Sequence, residues 1–159
     1  NMLCESNKTR PDLLDRALSI FTSLGMVIRE IDPLEHDRHI AYVSHLSHIS
    51  SFMLGKTVME KEEDERAIFE MAGSGFASTV RLAKSSPAMW TPIFKQNKNN
   101  VLEVLKEYIT NLETFKQQLE QDDFKGLFEQ MKKTNAIKKI LAGINQNNIT
   151  NQSIINHGK

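Results

Sequence analysis

Apolar positions along this chain recur with two periods, and each marks a different kind of element. Leu14, Ala17, Leu18, Phe21 and Leu24 share one face at helical spacing. Pro11 suits the first turn and Gly25 can close the last, so a helix is predicted over 11–24. Met26–Ile31 is short and rich in β-branched residues, is stopped by Asp32-Pro33, and reads as the one credible strand. A lone strand needs a neighbour, so the expected sheet is completed by missing residues or by another chain.

A long helix is predicted from Pro33 to Val58. Ile40, Val43, Leu46, Ile49, Met53 and Leu54 spread around much of its wheel, and no Lys, Arg, Asp or Glu interrupts Ile40–Leu54. That pattern describes a central, buried helix. Ser44, His48 and Ser51, at i, i+4 and i+7, form a narrow polar seam along it, with His45 at the edge. Lys61–Arg66 is a solvated charge run expected to open a further helix ending near Met71. Gly73-Ser74-Gly75 reads as a flexible turn into a helix carrying Phe76, Val80, Arg81 and Ala83. Ser85-Ser86-Pro87 restarts the chain, and Ala88-Met89-Trp90 begins another helix.

From Val101 the spacing changes. Val101, Leu105, Tyr108, Leu112, Phe115 and Leu119 alternate four and three residues apart. Such a stripe suits core packing within one chain and a helix shared across a dimer equally well. A last amphipathic helix uses Phe124, Leu127, Phe128, Met131, Ile137 and Leu141. Beyond Gly143 the chain is rich in Asn and Gln and reads as a polar tail, where the sequons at Asn148 and Asn151 carry no weight in a cytosolic protein.

Composition narrows the partners. Lys+Arg and Asp+Glu balance at 20 each, which argues against nucleic acid or an anionic membrane surface. With 40% hydrophobic residues the chain can bury a core, and Ile40–Leu54 is too short and too polar to span a bilayer. Cys4 is the single cysteine and has no internal partner, which favours a reducing, cytoplasmic setting. No signal peptide opens the chain, and Asn1-Met2-Leu3-Cys4 reads as the start of an excised piece.

Buried polar groups are costly unless something satisfies them, so the polar stretches within apolar surroundings are the candidate chemistry. His45 and His48 share a face at a spacing compatible with metal ligation, yet no further His or Cys is placed to complete a set, and no metal is expected. The Ser44/His48/Ser51 seam favours a ligand-facing stripe over plain packing. Asp37, next to His36, is favoured near a helix N-terminus by the helix dipole alone. Gly73-Ser74-Gly75-Phe76 follows a helix and lacks the third glycine of a dinucleotide loop. Its better use is close approach of the backbone to a ligand while positioning Arg81, which is either a surface residue or a fork for a carboxylate.

Taken together, Glu35-His36-Asp37, Ser44-His45-Leu46-Ser47-His48, Gly75-Phe76 leading to Arg81-Leu82-Ala83-Lys84-Ser85-Ser86-Pro87-Ala88-Met89-Trp90, and Asn97-Lys98-Asn99-Asn100 resemble the C-terminal helical domain of the prephenate dehydrogenase family. The resemblance covers about residues 10 to 135. It implies a mainly α, multi-helix dimerisation domain of the 6-phosphogluconate dehydrogenase C-terminal-like type, with one strand left over from a preceding Rossmann domain. Residues 1–32 would then be the last helix and strand of that missing domain, 33–142 the dimerisation and substrate-cleft domain, and 143–159 the tail.

The same resemblance implies a substrate, prephenate or arogenate, bound by Arg81, His45, His48, Ser44, Trp90 and Gly75. His36 and Asp37 would be interdomain or structural. Val101, Leu105, Tyr108, Leu112 and Phe115 would line a homodimer interface. NAD or NADP and the catalytic residues would belong to the missing domain, leaving this chain alone inactive. Ser47 stands where the family usually has proline, and Ala77, Ser78 and Val80 replace a common lysine-aspartate pair and threonine, departures that bear on the choice between prephenate and arogenate. A stand-alone helical interaction module, with the 101–119 stripe as its working surface, is the competing reading.

Overall fold

The computed structural model describes residues 1–65 and 67–144. The polar tail and its two sequons lie outside the described residues. The described chain forms two compact units: residues 1–33 with 110–144, and residues 34–109.

In the first unit, strand β1 (Met2–Leu3) leads into helix α1 (Pro11–Ser23) and back to strand β2 (Arg29–Glu30). The strands are parallel, with Met2 opposite Arg29 and Leu3 opposite Glu30. Parallel neighbours need a crossover, and α1 supplies it. The expected strand is therefore shorter than Met26–Ile31, and its partner comes from this chain itself. The Arg29 amide donates to the Asn1 carbonyl (3.0 Å) and the Ile31 amide to Leu3 (3.1 Å). Helix α1 closes as its sequence requires. Gly25 takes φ 71°, its amide reaches Thr22 (2.9 Å), and the Met26 amide reaches Phe21 (2.9 Å). These two bonds satisfy the last carbonyls in a Schellman motif that favours glycine.

The second unit begins with α2 (Pro33–Ile40), which passes through one turn of π-helix (Ala41–His45) into α3 (Leu46–Asp64). At the junction the Leu46 amide returns to Ala41, five residues back. The charge run at 61–65 closes α3 instead of opening a new helix, and only a 3-10 turn (Phe69–Met71) follows. Helix α4 (Ser74–Thr79) is shorter than expected, and Arg81 lies in a separate 3-10 turn (Arg81–Lys84). Helix α5 (Pro87–Gln96) starts at Pro87 as read, and α6 (Lys98–Glu120) carries the heptad-like stripe.

Helix α7 (Phe124–Thr134) has Asp123 as its N-cap, accepting from the Gly126 amide at 2.9 Å. The last amphipathic segment is interrupted: 135–136 form a turn before 137–144 resume as helix.

Burial corrects one expectation sharply. The long helix is not buried all round. Its buried positions are the small or polar Ala41, His45 and Ser51, whereas Val43 is 73% exposed and Met53 and Leu54 are also exposed. The core of the second unit is completed by Trp90, Val101 and Val104, and Leu127 is buried in the first. An apolar wheel without charges records a helix that needs cover, and here much of that cover is not supplied by the described residues.

Candidate functional site

The site is built from α3 outward. His45 ends the π turn and is only 4% exposed. Its ring stands nearly perpendicular to Trp90 (centroids 5.9 Å apart, 82°) and to Phe94 (6.1 Å, 82°). His48, one turn on, lies stacked against Trp90 with centroids 3.6 Å apart. Trp90 is therefore held between two histidines and Phe94, whose ring is 5.3 Å away. Trp90 is 7% exposed, and its Nε1 hydrogen has no acceptor among the described residues.

Hydrogen bonds set the two imidazoles. The His48 Nδ1 lies 3.0 Å from the Ser44 carbonyl, which can only accept, so Nδ1 carries the proton. Ser44 thus contributes its backbone to the site. The His45 Nδ1 lies 3.3 Å from the side-chain nitrogen of Asn97. Burial holds His45 below the ordinary histidine pKa, with the Asp37 carboxylate opposing this and His48 and His36 adding to it.

Ser51, 1% exposed, donates to the Thr79 carbonyl at the end of α4, so the third member of the polar seam faces a neighbouring segment of the protein. Four residues further along each segment, a Cβ on Gly55 would stand 3.8 Å from Ala83, an ordinary packing distance. These two contacts seat the 79–84 segment on α3. Arg81, read as either a surface residue or a carboxylate fork, is exposed and forms no ion pair among the described residues. Gly75 is exposed in the first turn of α4 with open space where a side chain would stand. The structure brings His45, His48 and Trp90 into one cluster, while Arg81 and Gly75 connect to it through Ser51.

His36 and Asp37 pair with each other (Nδ1 to Oδ1, 3.0 Å), and the Asp37 carbonyl accepts from Asn97 at 2.7 Å. The predicted stripe divides. Val101 is buried and Leu105 and Tyr108 half-buried, whereas Leu112 (52%) and Phe115 (38%) are exposed. Val104, the most buried apolar side chain of α6, is off the stripe as read, and Asn97 stood out only within a motif. An i, i+3 pair of valines at 101 and 104 was the missed signal.

Beneath α3 and α5 an apolar groove of about 420 Å³ is lined by Ile49, Phe52, Met53, Trp90 and Phe94, with Lys56 at its rim. Among the described residues no three His, Cys, Asp or Glu side chains gather to hold a metal, and no helix is long and apolar enough to cross a membrane. The connection from β1 to α1, residues 4–10, contains no glycine. The one parallel crossover present therefore lacks the turn that cradles a dinucleotide pyrophosphate.

Fold and site together define a helical domain in which two histidines pack against a buried tryptophan, with no nucleotide-binding turn among the described residues. The family model described as prephenate dehydrogenase, dimerization domain, matches residues 32–133, and the chain belongs to that family. It is 28% identical over 131 residues to a prephenate dehydrogenase of Bacillus subtilis, covering 82% of this chain and 35% of the relative. It is also 28% identical over 112 residues to a cyclohexadienyl dehydrogenase of Zymomonas mobilis, covering 70% and 38%.

Among solved structures, prephenate dehydrogenase from A. aeolicus, in complex with hydroxyphenyl propionate and NAD+, superposes with a TM-score of 0.78 at 28% identity. That match covers 88% of this chain and 49% of the other. Synechocystis arogenate dehydrogenase shares the fold (TM-score 0.72, 23% identity). The chain thus spans between about a third and half of the relatives it matches.

Proposed function

We propose that this chain is the C-terminal part of a prephenate dehydrogenase, supplying a homodimer interface and the substrate-binding side chains of the cleft. The observation that carries this reading is the His45/His48/Trp90 cluster with the Arg81 segment tied to the same helix by Ser51. Prephenate carries two carboxylates and a ring hydroxyl. An exposed guanidinium without an ion-pair partner among the described residues suits a carboxylate, bonded bidentately. A histidine whose Nδ1 is committed to a carbonyl leaves Nε2 for a hydroxyl. The open backbone at Gly75 allows close approach of a ligand, and Trp90 forms a wall.

Hydride transfer from the hydroxyl-bearing ring carbon, with loss of carbon dioxide, belongs to a nicotinamide cofactor bound outside these residues. The residues present do not fit that group. Residues 1–32 would be the end of the cofactor domain, which accords with a parallel β1–α1–β2 crossover.

The test has two parts. Calorimetric titration with prephenate should show binding that a monocarboxylate of similar size does not match. In cells that make the protein, the native polypeptide should exceed this chain by about one domain, on the order of 100 residues or more. No binding together with a native polypeptide of 159 residues would overturn the reading. It would favour the helical interaction module, which the exposed Leu112, Phe115, Phe124 and Phe128 also suit.

A further inference from the structure

Asn97 has no role in the reading above, yet it is buried and makes contact on three sides. Its side-chain nitrogen lies 2.7 Å from the Asp37 carbonyl and 3.3 Å from the His45 Nδ1, and its oxygen lies 2.7 Å from the Asn100 side-chain nitrogen. The Asp37 carbonyl can only accept, so the amide group, not the amide oxygen, must face it. The second amide hydrogen then points to His45 Nδ1, which must accept, and the proton of neutral His45 is confined to Nε2. That Nε2 has no hydrogen-bond partner among the described residues.

His48 is set the other way, because its Nδ1 donates to Ser44 and its Nε2 keeps the lone pair. We infer that Asn97 is a positioning residue that fixes the tautomer of His45, so that two histidines three residues apart offer a ligand one N–H donor and one nitrogen acceptor. A ligand with a hydroxyl and an oxygen acceptor fits such a pair, and a ligand with two carboxylates at these points does not. The inference rests on the proposed substrate only for the identity of that ligand. The tautomers themselves do not depend on it.

Nitrogen-15 histidine spectra of the protein test it without any substitution. The expected result is His45 protonated at Nε2 and His48 protonated at Nδ1; the opposite tautomer at His45 overturns the assignment. Asn97→Asp, nearly isosteric, presents a carboxylate oxygen to His45 and should move its proton to Nδ1. A His45 that stays Nε2-protonated in that variant would show that Asn97 does not set it.

Prephenate added to the wild-type protein should shift the His45 Nε2–H signal. An unmoved signal with bound prephenate would overturn the donor role. No prephenate binding at all would sink the substrate reading and leave the tautomer result standing. In the complete enzyme Asn97→Asp should raise KM about two- to tenfold with kcat little changed, a split that a loss of folding would not produce.

Discussion

The Ser51 hydroxyl donates to the Thr79 carbonyl at 2.5 Å, joining positions 28 residues apart. Through it the helix that carries His48 fixes the start of the segment that carries Arg81. Ser51→Ala keeps the packing and removes the tie, so it should cost about 1 kcal/mol of stability. Prephenate affinity should fall with it, because Arg81 loses its anchor. Denaturant unfolding and calorimetric titration on the same variant check both effects.

Arg81→Ala should separate binding from folding. Arg81 is exposed and has no ion-pair partner among the described residues, so stability should change by less than about 0.5 kcal/mol. Charge-assisted bonds to a carboxylate are worth about 1.5–3 kcal/mol, so KM for prephenate should rise roughly 10- to 100-fold in the complete enzyme. An unchanged KM would make Arg81 a surface residue.

His45 should make stability depend on pH. Burial lowers its folded-state pKa below the ordinary value of 6.5. The unfolded chain therefore takes up a proton that the folded chain resists. The contribution is complete above that ordinary value, declines as pH falls below it, and levels off beneath the folded-state pKa. The melting temperature of the wild type should fall as pH is lowered across this range, and that of His45→Gln should fall less.

Trp90 joins two kinds of demand. Trp90→Ala removes the ring against which His45, His48 and Phe94 pack and should cost about 3–5 kcal/mol. Trp90→Phe keeps an aromatic surface and also removes a buried N–H that lacks an acceptor among the described residues. Its cost should be much smaller, because a buried donor without a partner is itself unfavourable by about 1–3 kcal/mol. Unfolding free energies of the two variants check the order.

Leu112 and Phe115 are exposed on α6 at positions that the family resemblance assigns to an interface. Glutamate at both should leave helix content unchanged and shift sedimentation from dimer to monomer. A wild-type protein that sediments as a monomer would remove the homodimer from the proposal.

Much of this architecture is legible in the residues. Gly25 announces the end of α1, Pro87 the start of α5, and the clustered motifs bring His45, His48 and Trp90 together. Other features leave no trace in periodicity. Met2–Leu3 is too short to show an alternation, so the partner of β2 was invisible. A wheel drawn at a constant angle per residue cannot register the π turn at 41–45. Asn97 is hidden for a different reason, since two of its three partners, Asp37 and His45, lie 60 and 52 residues away along the chain. The apolar side chains of the long helix read as buried because hydrophobicity reports the need for cover, yet Val43 in the π turn and Met53 in α3 are exposed in this chain.

The π turn also marks the place where the length of this helix can be edited. It holds one residue more than an α turn would, so deleting the exposed Val43 lets the helix relax to a uniform ladder. The wide turn already absorbs that residue, so the helix on either side keeps nearly its present phase, and His48 and Ser51 still meet Trp90 and Thr79. One residue lost from the regular turn that follows, before His48, instead rotates everything after it by about 100° relative to α2 and takes both contacts away together. A length change is therefore tolerated at one turn of this helix and damaging at the next.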